Sequence, residues 1–342
     1  MLVLFVYNEA VGDNLFIPVL RSNLCEFGIE SVSSVKEFWN PSQKYDVIHI
    51  HWPEAVVGWG VNDISVIEKF ELQLQYFHQE GIRIVYTCHN LAPHYGNPLH
   101  IEAYRLIEVN ANCIIHLGSF SLEKLVILYP DIPQVQIAHH VYLGVYNDAI
   151  DKEKARKYLG IPTDRFVITA FGKFRRRDEV LMTIKTFLSF KQKKKLLLVP
   201  RMLPSTYPKY ILSAVRFILS LLNIYAEENE KILSDDELPY YFASADLIFI
   251  PRCAILNSGV VPMAFLFGRA VAGPNIGNVG QLLQATGNLL FDPLKQDTVV
   301  SALRRSVSIN LNDLGNKNRN YGRTVLHPQK IASLYAKVYK NE

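Results

Sequence analysis

Short apolar runs alternate with helix-length segments along nearly the whole chain, at 2–7, 47–51, 82–87, 113–116, 166–171, 195–199, 247–251 and 270–272. Strands with so few polar residues interleaved are buried on both faces, the situation of a parallel sheet covered by crossover helices. At 342 residues the chain exceeds one ordinary domain and suits two, and with 49% hydrophobic residues it can fill two cores. The fold class read from this pattern is α/β, with two doubly wound, Rossmann-like domains facing a central cleft. The boundary is placed after a helix over 149–159 that ends at Gly160, where Ile161-Pro162 leads into the strand at Phe166. Residues 1–160 then form the first domain and 161–326 the second. Residues 327–342 carry a last helix, 328–340, with Ile331, Leu334, Tyr335 and Val338 on one face.

The net charge of +4 is too small to indicate a nucleic-acid binder. The positive residues are nevertheless clustered, at 173–177 (Lys-Phe-Arg-Arg-Arg) and 191–195 (Lys-Gln-Lys-Lys-Lys). The first cluster follows a strand and is available to an anionic ligand; the second reads as a solvated loop. A basic face would also suit contact with an anionic membrane. Cys25, Cys88, Cys113 and Cys253 lack metal or redox spacing and fit a reducing compartment. No apolar run approaches the roughly 20 residues that span a bilayer. Residues 1–7 lack a basic region and read as a strand rather than a secretion signal. The expected location is cytoplasmic, with the inner face of the membrane as a place of contact. The segment 210–225 has helical period and is apolar around much of its circumference, so it is read as a buried core helix in preference to an interfacial one.

Several residues have the chemistry of a site. In 251–274 a strand ends in Asn257-Ser258-Gly259 and a short helix follows, with Pro262 in its first turn and Gly268 at its end; Asn257 or Ser258 is placed to cap it. Such a loop is either an ordinary connection or a phosphate holder, since the orphan amides at a helix start favour an anion. In the strand 46–51, His49 and His51 share a face. Trp52 and Glu54 follow at the carboxyl end, where an indole can cover the apolar face of a sugar and a carboxylate can accept its hydroxyls. Glu54 would orient an acceptor or act as its base, while His49 reads as a satisfied core histidine. His89 ends the next strand and, as a neutral imidazole, would bond a sugar hydroxyl or orient its loop. His94, Tyr95 and His100 are weaker candidates on the acceptor side or the surface.

These stretches and others resemble, in order, those of GT-B glycosyltransferases, in particular the family 4-like bacterial enzymes that build surface polysaccharides. The similarity is carried by His49-Ile-His-Trp-Pro-Glu54, Tyr86-Thr-Cys-His-Asn90, 139–146, Phe171-Gly-Lys-Phe-Arg-Arg-Arg-Asp-Glu179, 234–246, the 251–274 segment and 287–293. The resemblance implies transfer of a hexose from a nucleotide diphosphate sugar, a UDP-sugar being favoured, to a saccharide or lipid-linked saccharide acceptor. It implies no metal and no cofactor beyond that co-substrate. The donor would be bound by Gly172, Arg175, Arg177, Arg201, Asn257, Ser258 and Gly259, and the acceptor by His51, Trp52, Glu54, His94 and His139. Glu54, His89 and Arg175 would be the catalytic residues, Arg175 clamping the diphosphate. The family lysine falls at Asp178, leaving Arg176 or Arg177 to replace it. The two glutamates of many family 4 enzymes fall at Ile255 and Met263, so retention by a front-face mechanism and inversion with Glu54 or another first-domain carboxylate as base both stay open. The family's last helix crosses back onto the first domain, and closure of the two domains would expel water. A nucleotide-sugar epimerase of the same architecture and a catalytically inactive sugar-binding protein are the alternatives. A dinucleotide oxidoreductase is disfavoured, because 8–13 after the first strand is not a Gly-x-Gly-x-x-Gly turn.

Overall fold

The computed structural model describes residues 1–9, 15–93, 96–228, 230 and 233–342. They form two compact units, Met1–His140 with Pro328–Glu342, and Val141–His327. The first unit runs β1 (Leu2–Phe5), α1 (Phe16–Leu24), β2 (Glu30–Ser33), α2 (Val35–Trp39), β3 (Val47–Ile50), α3 (Pro53–Val57), α4 (Ile64–Gln79), β4 (Arg83–Cys88), α5 (Pro98–Asn110), β5 (Cys113–His116), α6 (Ser119–Leu128) and β6 (Gln134–Gln136). Its sheet has the order β2-β1-β3-β4-β5-β6 with every pair parallel. The chain winds from β1 to β2 and then back across β1 to β3. At that reversal the connections leave the carboxyl ends of β1 and β3 in opposite directions, which opens the crevice where such sheets bind ligands.

The second unit runs α7 (Lys152–Tyr158), β7 (Phe166–Thr169), α8 (Arg177–Ser189), β8 (Lys195–Leu203), α9 (Lys209–Leu221), β9 (Ile224–Glu228), α10 (Leu238–Ser244), β10 (Leu247–Phe249), α11 (Val260–Leu266), β11 (Ala270–Pro274), α12 (Gly277–Ala285), β12 (Leu289–Phe291), α13 (Gln296–Ser306) and α14 (Leu311–Thr324). Its sheet is also parallel, with the order β12-β11-β10-β7-β8-β9 and the reversal between β7 and β10. The final helix, α15 (Pro328–Lys340), belongs to the first unit. Its Ile331, Tyr335 and Tyr339 are buried in one core with Phe16, Ile17, Leu20 and Leu24 of α1.

The structure differs from the sequence reading in three places. The first unit ends at His140 rather than at 160. Residues 141–160 go with the second because Arg156 of α7 is buried there and donates to the Asp246 carboxylate at 2.7 Å, to the Ser244 carbonyl at 3.1 Å and to the Thr163 carbonyl at 2.6 Å. Four strands escape the apolar pattern, β2, β6, β9 and β12, and they are the edge strands of the two sheets. β2 (Glu-Ser-Val-Ser) and β6 (Gln-Val-Gln) bury none of their residues, so only backbone pairing reveals them. Finally, 210–225 is not one buried helix. α9 stops at Leu221, Asn223 turns the chain at φ 58°, and β9 pairs with β8. Asparagine tolerates that left-handed conformation better than most residues. Only Leu212 and Leu219 of α9 are buried, because the helix lies over the outermost pair of strands and has a core on one side alone. Among the described residues no helix is long and apolar enough to cross a membrane.

Candidate active site

In the first unit the carboxyl ends of β3, β4 and β6 converge on Phe16, the first residue of α1. Its ring meets His51 at 5.7 Å, His89 at 5.2 Å and His139 at 4.7 Å edge to face, and stacks on His140 at 4.8 Å. Trp52, half-buried, stacks on His89 with centroids 4.3 Å apart. His89 Nε2 and His51 Nδ1 are 2.9 Å apart, so one of these two nitrogens carries the shared proton. His51 itself is fully buried, with its ring against those of His89 and Trp52. His49 is satisfied as a core residue, its ring nitrogens lying 2.7 Å from the Tyr339 hydroxyl and 2.8 Å from Thr87 Oγ1. Glu54, in the first turn of α3, is fully buried and accepts the Tyr104 hydroxyl at 3.1 Å on each carboxylate oxygen. His100 is spent on the Gly58 carbonyl at 3.0 Å. His94 and Tyr95 lie outside the described residues.

Burial keeps His49, His51 and His139 neutral. It holds His49 and His51 well below the ordinary histidine value of 6.5, with neighbouring His89 and His49 adding to the effect. Burial, then the proximity of His140, brings His139 down to about 3, and burial brings His116 of β5 to about 4. The unfolded chain takes up protons near pH 6.5 that the folded chain refuses until far lower pH. Stability from these groups is therefore full above pH 6.5 and is lost as pH falls below it, with a slope of about 1.4 kcal/mol per pH unit for each histidine. Glu108, which burial raises from 4.5 to about 7, opposes them, its contribution being lost as pH rises through that window. One group acts against four. The melting temperature is expected to fall between pH 7 and pH 5, and a flat calorimetric profile over that range would contradict the neutrality of these four histidines.

In the second unit the loops after β7 and β10 meet at the reversal of the sheet. Gly172 has φ 103°, and a Cβ there would lie 3.2 Å from the Arg252 guanidinium and 4.0 Å from Val260, so the tight exit from β7 requires glycine. Arg252 donates to the Glu179 carboxylate at 2.6 Å and to the Lys173 carbonyl at 2.7 Å, and Glu179 also accepts the Arg175 N–H at 3.0 Å. This buried pair ties the loop before α8 to the loop after β10. Arg175 and Arg177 are exposed, and their side chains have no partner among the described residues, whereas Arg176 is taken by Asp178. Arg201 lies on β8 and its carbonyl accepts the Phe174 N–H at 3.3 Å, joining a third strand end to the loop.

The Asn257-Ser258-Gly259 loop is held from behind. Ser258 Oγ accepts the Val260 N–H at 3.2 Å, and Asn257 is not the cap, its Oδ1 accepting Asn278 Nδ2 at 2.9 Å. Gly277 begins α12 at φ 60°, and any Cβ there would come within 2.5 Å of the Ile255 carbonyl, so the close approach of the two segments demands glycine. A Cβ on Gly259 would lie 3.2 Å from the buried Tyr142 hydroxyl. Sequence reasoning missed Phe16, His140, Tyr104, Tyr142 and the Arg252–Glu179 pair. His140, Tyr142, Glu179 and Arg252 did stand in quoted stretches, but without a role, whereas Phe16 and Tyr104 carry no local signal. Among the described residues no three His, Cys, Asp or Glu side chains are grouped to hold a metal ion.

Two doubly wound, six-stranded parallel sheets of this topology, in one chain whose last helix is part of the first unit, make the GT-B fold. No protein-family profile matches the sequence, and no curated protein does. Solved structures match over essentially the whole length. Sucrose-phosphate synthase from Thermosynechococcus elongatus is similar with a TM-score of 0.74 at 14% identity, covering 99% of this chain and 98% of that one. Anabaena HepE, in complex with UDP and glucose, is similar with a TM-score of 0.71 at 13% identity over 100% of both chains. WaaG, a glycosyltransferase involved in lipopolysaccharide biosynthesis, gives 0.66 at 11% identity over 100% of both.

Proposed function

We propose that the protein is a glycosyltransferase that moves a hexose from a nucleotide diphosphate sugar to a saccharide or lipid-linked saccharide acceptor in polysaccharide synthesis. The observation that carries this reading is the pair of exposed arginines, Arg175 before α8 and Arg177 at its start, whose side chains have no partner among the described residues, on the β7 side of the winding reversal of the second sheet, with the amide-bearing 257–259 loop on the β10 side. Phosphates on a leaving nucleotide need such cations and amides, because charge grows on them as the glycosidic bond breaks. In this reading the second unit holds the donor, with Gly172 allowing the loop to close around it and Arg201 near the base. The complexes of HepE with UDP and with UDP-glucose favour uridine as the base. The first unit takes the acceptor: Trp52 offers a face for a sugar ring, His89 bonds a hydroxyl, and His51 and His139 hold His89 and Phe16 in place. Glu54 is the carboxylate assigned to the acceptor, kept in position by Tyr104.

Titration calorimetry with uridine, guanosine and adenosine diphosphates tests the donor side. One of the three is expected to bind, and Arg175→Ala should weaken it by about 1.5 to 3 kcal/mol, the cost of one charge-assisted contact. Equal affinity in the variant would remove Arg175 from the site. Turnover that survives excess EDTA is the expected companion result.

A further inference from the structure

α9 shows to solvent what a helix over a sheet ordinarily hides. Tyr210, Phe217, Ile218 and Leu221 are 75%, 65%, 58% and 68% exposed. With Ile211 and Leu222 they recur at helical spacings on the side opposite Leu212 and Leu219, which enter the core. A contiguous exposed apolar stripe of this kind marks a contact surface.

Charge indicates the partner. β8 and β9 pair with Leu197 opposite Ile224, so two residues earlier on each segment Lys195 comes level with Leu222. The lysine turn 191–195 therefore lies at the same end of the unit as the carboxyl end of α9. Lys191 and Lys193 are exposed and have no partner among the described residues. Glu227 and Glu228 sit toward the other end of β9, and Arg216 engages both. The apolar stripe thus runs into uncompensated positive charge.

We propose that this face of the second unit docks on an anionic phospholipid bilayer. α9 lies in the plane of the interface, with Phe217, Ile218, Leu221 and Leu222 inserted at the acyl boundary. Tyr210 sits at headgroup level, and Lys191 and Lys193 meet lipid phosphates. A second copy is the poorer occupant, because an isologous contact would bring two lysine turns into one interface, whereas a phosphate surface compensates them. This inference goes beyond the transferase reading and stands or fails without it.

Co-sedimentation of the full chain with vesicles tests it. Vesicles of phosphatidylglycerol mixed into phosphatidylcholine should carry the protein down, and vesicles of phosphatidylcholine alone should not. Phe217→Ser with Leu221→Ser should lower binding at least about tenfold. Both side chains are exposed, so the fold is expected to tolerate these changes. Lys191→Gln and Lys193→Gln should each lower binding about fivefold and reduce its salt dependence. Absence of binding to the anionic vesicles, or binding unchanged in the serine variant, would overturn the proposal. So would a solution dimer that the serine variant no longer forms, since the stripe would then belong to a second copy.

Discussion

Arg252→Ala is expected to destabilise the second unit by about 3 to 5 kcal/mol, because it strands the Glu179 carboxylate in a site where it is 1% exposed. The same change removes the donor to the Lys173 carbonyl and frees the loop that presents Arg175. Most of the cost comes from the unpaired buried charge and not from the lost contact as such. Adding Glu179→Gln should therefore restore more than half of the stability, since the amide oxygen can still accept the Arg175 N–H without carrying charge. Urea denaturation of the two single variants and the double variant measures this cycle. A single-variant cost below about 1 kcal/mol, or no recovery in the double variant, would show that water reaches Glu179 and that the pair is dispensable.

Glu54→Gln is expected to cut transfer by roughly 10²- to 10⁴-fold if the carboxylate acts on the acceptor proton, while nucleoside diphosphate affinity stays within about twofold. The amide keeps the shape of the side chain and can still accept the Tyr104 hydroxyl, so loss of rate would report loss of charge and basicity. Tyr104→Phe should cost less, because it removes the hydroxyl that holds both carboxylate oxygens but leaves the carboxylate itself. Ser258→Trp should do the opposite of Glu54→Gln and abolish nucleotide binding, since an indole there blocks approach to the 257–259 amides. Thermal melts of each variant separate these effects from unfolding. Nucleotide binding lost in Glu54→Gln but retained in Ser258→Trp would move the donor to the first unit and reverse the assignment.

The positions of the site residues on their elements were largely legible in the sequence. The central strands β1, β3, β4, β7, β8 and β10 are almost wholly apolar, and a strand that must be buried on both faces has no other composition open to it. The residue after such a strand lies at the carboxyl edge of the sheet, so Trp52, His89, Gly172 and the 257–259 loop could be placed from sequence alone. The edge strands β2 and β6 could not, because a strand covered on fewer sides has no need of an apolar run. The exposed face of α9 was misread for the related reason that helical period says which residues share a side and not whether anything covers that side.

Sequence by itself determined the class of the two sheets, the elements that end at their carboxyl edges, and the residue types gathered there. Those follow from local composition and short spacings, which the chain carries in every conformation. Tertiary structure alone decided the partners. His140 reaches the Phe16 carbonyl across 124 residues, Arg252 reaches Glu179 across 73, and His49 reaches Tyr339 across 290. A buried charge or imidazole must find its hydrogen-bond partner wherever the winding of the sheet brings one near, and no local pattern records that distance.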